Sequence, residues 1–174
     1  MEVSVPKLSA GLLPYRVSGD GILEVFVVHP GGPFWARKDL HAWSVAKGEY
    51  EEQDDPALEA EREFAEEVGV PAPPGTRLDL GQIKQPGGKL VRAWAVEAPD
   101  FEVDEVVSNC FETEWPPKSG RRQSFPEVDR AEWMSAAVAR EKLTKGQVPF
   151  IDRLIEVLRE AGTEVRETAK PPPN

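Results

Sequence analysis

Two residue types that build many active sites are nearly missing from this chain. Its 174 residues hold one cysteine, Cys110, and two histidines, His29 and His41. One cysteine excludes an intrachain disulfide and fits a reducing compartment. So few His and Cys also argue against a zinc centre made from them. His29, His41 and Cys110 have no nucleophile-to-base spacing and read as structural or surface residues. Long apolar runs are missing as well. The stretches Gly11–Pro14 and Val25–Val28 fall far short of the ~20 residues needed to cross a bilayer, so no membrane partner is expected. The opening MEVSVPKLSAG has no basic segment followed by an apolar one, so a secretory leader is not expected and a cytoplasmic location is. Positive charge is scarce: 21 Lys and Arg stand against 31 Asp and Glu, a formal charge of −10. Bulk charge therefore repels a phosphate backbone, and no nucleic acid polymer is expected as partner. Any phosphate contact must come from a local basic patch or a bridging cation.

What is present suffices for one domain: 40% of residues are hydrophobic and 30% charged, close to globular averages. Residues 1–8 read as a flexible lead-in. Residues 9–17 and 22–29 read as a hairpin around Ser18-Gly19-Asp20-Gly21, whose residues have turn chemistry. Pro30-Gly31-Gly32-Pro33 then breaks regular structure before a loop carrying Phe34, Trp35, Arg37 and Lys38. A short strand is expected over 42–46. The clearest helix is 55–68, with Asp55 as N-cap, Pro56 in the first turn, Gly69 at the left-handed C-terminal position and Ala57, Ala60, Phe64 and Val68 as its buried stripe. Residues 77–84 and 89–97 form a second hairpin around Pro86-Gly87-Gly88. Residues 100–130 read as a long functional loop with short extended ends, whose Gly and Pro content permits a lid. A last strand over 130–134 and helices over 135–142 and 149–161 complete the order. Residues 163–174 read as a disordered Pro-rich tail. This order implies a single layered α/β domain over 9–162 around a mixed sheet.

The chemistry concentrates in Gly48 to Val70, GEYEEQDDPALEAEREFAEEVGV. On a helix, Glu63, Glu66 and Glu67 share one face. They lie in its C-terminal half, where the helix dipole disfavours anions, and a divalent cation would reverse that local cost. All-oxygen ligation favours Mg²⁺ or Mn²⁺ over Zn²⁺. Arg62 is placed to pair with a carboxylate and orient it. Taken on spacing alone, an acidic solvated helix face explains the same three residues.

The whole pattern is more specific. Gly48, Asp54, Arg62-Glu63, Glu66-Glu67 and Gly69-Val70 stand at the spacings of the Nudix box, and the segment resembles that of MutT-like Nudix hydrolases. Asp54 replaces the family's usual Glu and Phe64 its usual aliphatic residue. The six unaltered positions would match by chance at about 10⁻⁷ per starting position. The resemblance extends over roughly residues 9–160. It implies an α/β/α sandwich with a central mixed β-sheet, with Gly48, Glu63, Glu66 and Glu67 as metal ligands. Arg62 then holds a ligand carboxylate, and Asp54 matches an accessory Glu, one methylene shorter.

The resemblance also implies metal-dependent hydrolysis of a diphosphate linkage by water attack at phosphorus. A general base is needed. Glu66 or Glu67 could serve, or Glu127, six residues before Trp133 in PEVDRAEW, where relatives often place a Glu; a solvated loop residue is the alternative for Glu127. Glu112 and Glu114 are weaker candidates. Lys47, next to Gly48, matches a phosphate-contacting lysine, with an ordinary exposed lysine as the alternative. Trp43, Phe34 and Trp35 could stack a base, and Trp43 could equally be core. Lys118, Arg121 and Arg122 form a basic cluster that suits a polyphosphate or simply keeps a loop tip soluble. The expected substrate is a nucleoside polyphosphate, either an NTP or a dinucleoside polyphosphate. A catalytically weak nucleotide-binding module is the alternative, which the intact glutamate set argues against. An RNA 5′-end hydrolase ranks below both because of the charge, and a homodimer is left open.

Overall fold

The computed structural model of the chain describes residues 5–169. Residues 1–4 of the expected lead-in and 170–174 of the expected tail lie outside the described residues. The elements run β1 (Leu8–Val17), β2 (Leu23–Pro30), β3 (Ala46–Tyr50), α1 (Pro56–Val68), β4 (Arg77–Lys84), β5 (Leu90–Glu97), β6 (Cys110–Glu114), β7 (Arg122–Pro126), β8 (Val128–Ser135), α2 (Ala136–Lys142), a 3₁₀ turn (Lys145–Gln147) and α3 (Pro149–Glu160).

Strand β1 organises the sheet because it has more partners than edges. It pairs in parallel with β5 along nearly its whole length, from Leu8–Leu90 to Tyr15–Glu97. Its other edge is divided. Tyr15–Val17 pairs with Leu23–Val25 of β2, while Leu8–Leu12 pairs antiparallel with Ala46–Tyr50 of β3. β4 flanks β5 and β8 flanks β2, so the mixed sheet forks where β2 and β3 part.

Strand alternation then makes two cores, since successive side chains point to opposite faces. Ala10 and Leu12 of β1, Phe26 and Val28 of β2 and Trp94 and Val96 of β5 pack with Ala60, Phe64 and Val68 of α1. Leu13 and Tyr15, Val25 and Val27, and Ala93 and Ala95 point the other way, against Phe150, Ile151, Leu154 and Leu158 of α3 and Ala136 and Ala139 of α2. This is the α/β/α sandwich. Helix α1 starts and stops as its residues dictate: Asp55 Oδ1 accepts from the Ala57 amide at 2.9 Å, and Gly69 takes φ 91°.

Four expectations are corrected. The strand expected over 42–46 begins only at Ala46. Trp43 and Ser44 make single bridges to Leu143 and Val28, because here the chain crosses from the β2 edge to the β1 edge and a ladder starts only once it faces Leu12. The long loop over 100–130 contains a two-stranded hairpin, β6–β7, in which Phe111 opposes Phe125 with ring centroids 6.1 Å apart. Its strands are five residues each, and Pro116-Pro117 between them masks the alternation. β8 starts at Val128, ahead of the expected 130. The disorder expected from 163 does not hold for the segment around Arg166. The Leu23 amide donates to the Arg166 carbonyl and the Arg166 amide to the Gly21 carbonyl, each at 2.8 Å, and Arg140 pairs with Glu167. Polar composition hid this docking, which satisfies backbone groups at the β1–β2 turn.

The fork depends on Gly11. A Cβ there would lie 2.8 Å from the Ala46 carbonyl oxygen and 2.9 Å from Lys47 Cβ. The first is backbone and cannot swing aside. Gly11→Ala is expected to cost about 1–3 kcal/mol, a Tm lower by about 3–10 °C in a thermal melt.

Candidate active site

Helix α1 lies across the strand carrying Lys47 and Gly48, and its carboxylates reach back to that backbone. Glu63 rests on Gly48 so closely that a Cβ at position 48 would fall 1.9 Å from Glu63 Cδ. One turn later, Glu67 Oε2 accepts from the Lys47 amide at 3.2 Å. Arg62 fans over the outer side of the helix: its guanidinium donates to Glu66 Oε1 at 2.8 Å, to Glu63 Oε1 at 2.9 Å and to Glu59 Oε2 at 2.8 Å. Glu59, three residues before Arg62, is the partner that sequence reasoning missed, although the i,i+3 spacing made the pair legible.

Beyond Lys47 and Glu67 opens a cleft of about 370 Å³ where the sheet forks. Glu127, Val28 and Pro30 line one side, and Lys47, Lys89 and Val91 another. Trp35 stands in its wall with the Lys38 ammonium 4.9 Å from the ring centroid, while Ser44, Thr144 and Gln147 close the far end. Gln147 is almost fully buried and accepts from the Val45 amide at 2.8 Å. Thr144 Oγ1 is a buried hydroxyl with no partner among the described residues. Glu127 reaches the cleft because it follows β7 directly: its amide donates to the Asn109 carbonyl at 2.8 Å, and its carbonyl accepts from Gly31 at 2.9 Å.

The electrostatics follow from burying like charges together. Burial pushes the Glu67 carboxyl up to about 8; Lys47 opposes the rise, and Glu63 and Glu127 add to it. Glu63 is raised by burial, with Glu66 and Glu127 opposing its ionisation and Arg62 favouring it. Glu127 is raised by burial and by Glu66. The Lys47 ammonium is held below its usual range by burial and by the neighbouring Lys89. Four carboxyls thus sense one another at one end of a cleft that also holds two lysines.

Comparison with known proteins gives the family. The NUDIX domain model matches residues 6–154. The chain belongs to the Nudix family. A search of curated proteins found no match. Among solved structures, a C. elegans Ap4A hydrolase binary complex is similar at 17% identity over 88% of this chain and 98% of that one, with TM-score 0.62. The NUDIX domain of Shewanella oneidensis NrtR, complexed with ADP ribose, is similar at 16% identity over 90% of each chain, with TM-score 0.62. A Nudix hydrolase from M. smegmatis is similar at 22% identity over 87% of this chain and 85% of that one, with TM-score 0.53. At these identities the likeness is one of fold.

The Nudix fold gathers some of the residues singled out in the sequence and leaves others apart. Lys47, Glu67 and Glu127 line the cleft, and Gly48, Glu63, Glu66 and Arg62 adjoin them on β3 and α1. Trp43 does not face the cleft. It is 2% exposed, stacks edge-on to His29 at 5.1 Å and donates through Nε1 to Asp39 Oδ1 at 2.8 Å. The aromatic side chain in the cleft wall is Trp35. Arg121 and Arg122 lie exposed at the start of β7, away from the cleft lining, and Arg122 faces Glu112 at 3.7 Å. Asp54 serves its own loop, where Oδ2 accepts from the Glu51 amide at 3.1 Å. Lys89, Thr144 and Gln147 were missed, since nothing in a β-turn exit or a 3₁₀ turn marks a side chain as cleft-facing.

The donor set is all oxygen and suits a hard divalent cation. Among the described residues, no three His, Cys, Asp or Glu side chains are drawn together tightly enough to hold an ion. In the described arrangement Glu63 lies against Gly48 and accepts from Arg62, Glu66 also accepts from Arg62, and Glu67 turns to the Lys47 amide. The cradle at Gly48 fits a ligand role for Glu63, because only a residue without a side chain lets the carboxylate lie against the backbone.

Two measurements check this geometry. In chelator, Tm is expected to fall as pH rises from about 5 to about 9. A raised carboxyl stabilises the fold below its unfolded value near 4.5, and that contribution is lost as pH passes its folded value near 8. Glu67→Gln should flatten this part of the profile, and an unchanged slope would refute the assignment. Gly48→Ala should move the flexible Glu63 side chain rather than the backbone, so Tm should shift by no more than about 3 °C.

Proposed function

We propose that this Nudix protein is a divalent-metal-dependent hydrolase that cleaves the diphosphate linkage of a nucleoside polyphosphate. The observation that carries the reading is the seating of Glu63 on side-chain-free Gly48, with Glu67 and Glu127 at the same end of a cleft that holds Lys47 and Lys89. Carboxylates alone would repel a polyphosphate; carboxylates and lysines meeting at a cleft end suit a cation and the phosphates it accompanies. The Gly48 carbonyl with Glu63, Glu66 and Glu67 would hold Mg²⁺ or Mn²⁺, and the ion, when bound, neutralises phosphate charge and acidifies a bound water.

The chain's own residues do the rest. Arg62 keeps Glu63 and Glu66 in orientation. Lys47 and Lys89 offer point charges to the phosphate chain, and burial strengthens that attraction by excluding water. Glu127, on a different element from the other carboxyls, takes the proton from the attacking water, its raised affinity for a proton suiting that exchange. Trp35 offers a ring at the cleft wall for a base, and Thr144 Oγ1 an unused hydrogen-bonding group. That two neighbours carry the descriptions Ap4A hydrolase and ADP-ribose complex supports a nucleotide ligand for this cleft. Among the described residues no helix is long and apolar enough to cross a membrane.

A product-resolved hydrolysis screen tests the reading, with NTPs, dinucleoside polyphosphates, nucleotide sugars and dinucleotide cofactors, in Mg²⁺ and in Mn²⁺. Metal-dependent release of two phosphorylated products is expected for one class. Glu67→Gln should lose turnover by several orders of magnitude with the fold intact, and Glu127→Gln by roughly 10²–10⁴-fold. Mn²⁺ should raise the wild-type Tm by mass action, and Gly48→Ala should blunt that rise. Nucleotide binding without turnover, and with no metal response, would replace the hydrolase by a binding module.

A further inference from the structure

The irregular stretch between β5 and β6 is tied to α1 on one side and to Glu127 on the other. Phe101 enters the core beside α1, 5.8 Å from the Phe64 ring and 5.2 Å from Phe26, and its carbonyl accepts from Trp133 Nε1 at 2.9 Å. Val103 and Val106 pack on the same core. The chain then passes the C-terminal end of α1, whose last carbonyls have no partner within the helix. Two of them are met here: the Val107 amide donates to the Val68 carbonyl and the Asn109 amide to the Glu66 carbonyl, each at 3.2 Å. Gly69 lets the stretch come this close, since a Cβ there would fall 2.5 Å from the Val107 carbonyl oxygen.

The same residues carry Glu127. Asn109 and Glu127 stand one position beyond Cys110 and Pro126, a pair at the end of the β6–β7 ladder, and the Asn109 carbonyl accepts from the Glu127 amide at 2.8 Å. A single residue thus joins the backbones of two carboxylate-bearing residues: the Glu66 carbonyl takes the Asn109 amide, and the Asn109 carbonyl takes the Glu127 amide. Ser108 closes the next position. Its hydroxyl accepts from the Val128 amide at 3.1 Å, and its own proton has two acceptors in reach, the Asn109 carbonyl at 2.9 Å and the Val128 carbonyl at 3.1 Å. Val128 is 3% exposed, so its amide is costly to leave unpaired. The Val107 side chain is exposed, so the link runs through main chain and the one hydroxyl.

We propose that Val107–Asn109 is a strut that fixes how far Glu127 stands from the α1 carboxylates, and that Ser108 is a positioning residue acting through Glu127. The proposal rests on the reading of Glu127 as the group that takes a proton from water. Such a base must come within about 2.6–3.2 Å of the oxygen it deprotonates. A misplacement of about 1 Å costs on the order of 10²-fold in rate. Glu66 and Glu127 are near enough for one charge to be felt at the other, and when both are ionised they repel. The strut holds their backbones at a set separation against that repulsion. Because Asn109 is bonded to the Glu66 carbonyl, a shift of α1 is carried to Glu127, and the base keeps its place relative to the carboxylates of the helix.

The test reads turnover of diadenosine tetraphosphate and of ATP with Mn²⁺ in the full chain, for wild type, Ser108→Ala, Ser108→Thr, Glu127→Gln and Ser108→Ala/Glu127→Gln. Ser108→Ala should lower kcat about tenfold with KM within about twofold, and Ser108→Thr, which keeps the hydroxyl, should retain the wild-type kcat within about twofold. In the Glu127→Gln background, Ser108→Ala should change kcat by less than about twofold, because the group it positions is already gone. An equal loss in both backgrounds, or an unchanged kcat in Ser108→Ala alone, would overturn the proposal. Amide hydrogen exchange is the second readout and needs no substrate. In Ser108→Ala the Asn109 and Glu127 amides should exchange about tenfold faster, while those of Val27 and Ala93 keep their rates. Unchanged exchange at Asn109 and Glu127, or an equal rise at all four, removes the strut. Full turnover in Glu127→Gln, or no cleavage of either compound by wild type, counts against the reading of Glu127 as base, and the strut is then judged by exchange alone.

Discussion

The structure turns on one strand edge that serves two partners. β1 gives its C-terminal half to β2 and its N-terminal half to β3. Neither partner can follow β1 throughout, because each sheet edge offers one set of backbone donors and acceptors. The two strands therefore diverge, and the gap between them is the cleft. Gly11 lets the segment Val45–Lys47 lie against β1. The adjoining residues of β3, Lys47 and then Gly48, are presented to α1 on one side and to the cleft on the other. Hydrophobic alternation fixes both faces of the sheet, so the cleft opens at the fork instead of being filled from either core.

Onto this scaffold the chain loads an arrangement that is poor for stability. Carboxyl groups on successive turns of α1 are brought against the backbone and toward Glu127, with burial opposing their ionisation. Arg62 relieves part of the cost by taking Glu59, Glu63 and Glu66 on its guanidinium. These pairs sit on a half-exposed surface, where ion pairs contribute little, so their main effect is to orient. Strongly perturbed carboxyls in a cleft mark a place organised for chemistry more than for stability.

A second constraint governs the far wall. The β6–β7 hairpin packs on Pro30-Gly31-Gly32: a Cβ on Gly31 would fall 2.1 Å from the Pro126 carbonyl oxygen, and one on Gly32 would fall 2.7 Å from the Phe111 ring. Phe34 meets Trp115 edge-on at 5.4 Å. Because the hairpin docks this closely, the next residue after it, Glu127, enters the cleft. The loop bearing Trp35 is tied from below, where the buried His29 donates through Nε2 to the Lys38 carbonyl at 2.6 Å and holds Asp129 through Nδ1 at 2.8 Å. Buried His29 thus supports the wall of the cleft.

The order of strands and helices, the limits of α1, the hairpin 77–97 and the glutamate set were legible in the chain because they depend on local rules. These rules are caps, turn residues, alternation and the 3.6-residue period, together with a spacing specific enough to match one family's box. The pairing of Arg62 with Glu59 was within reach of the same rules. Tertiary structure decided the rest. It buried Trp43 and put Trp35 in the cleft, since which aromatic faces a cavity depends on where the crossing from β2 to β3 passes. It left Arg121 and Arg122 out of the cleft lining and brought in Lys89, because a hairpin's direction is set by what it packs on. It joined residues 165–167 to the β1–β2 turn to satisfy backbone groups that no polar tail advertises. Local chemistry is encoded within a few residues and can be read along the chain; which side chains share a cleft depends on long-range packing, and only the folded molecule settles it.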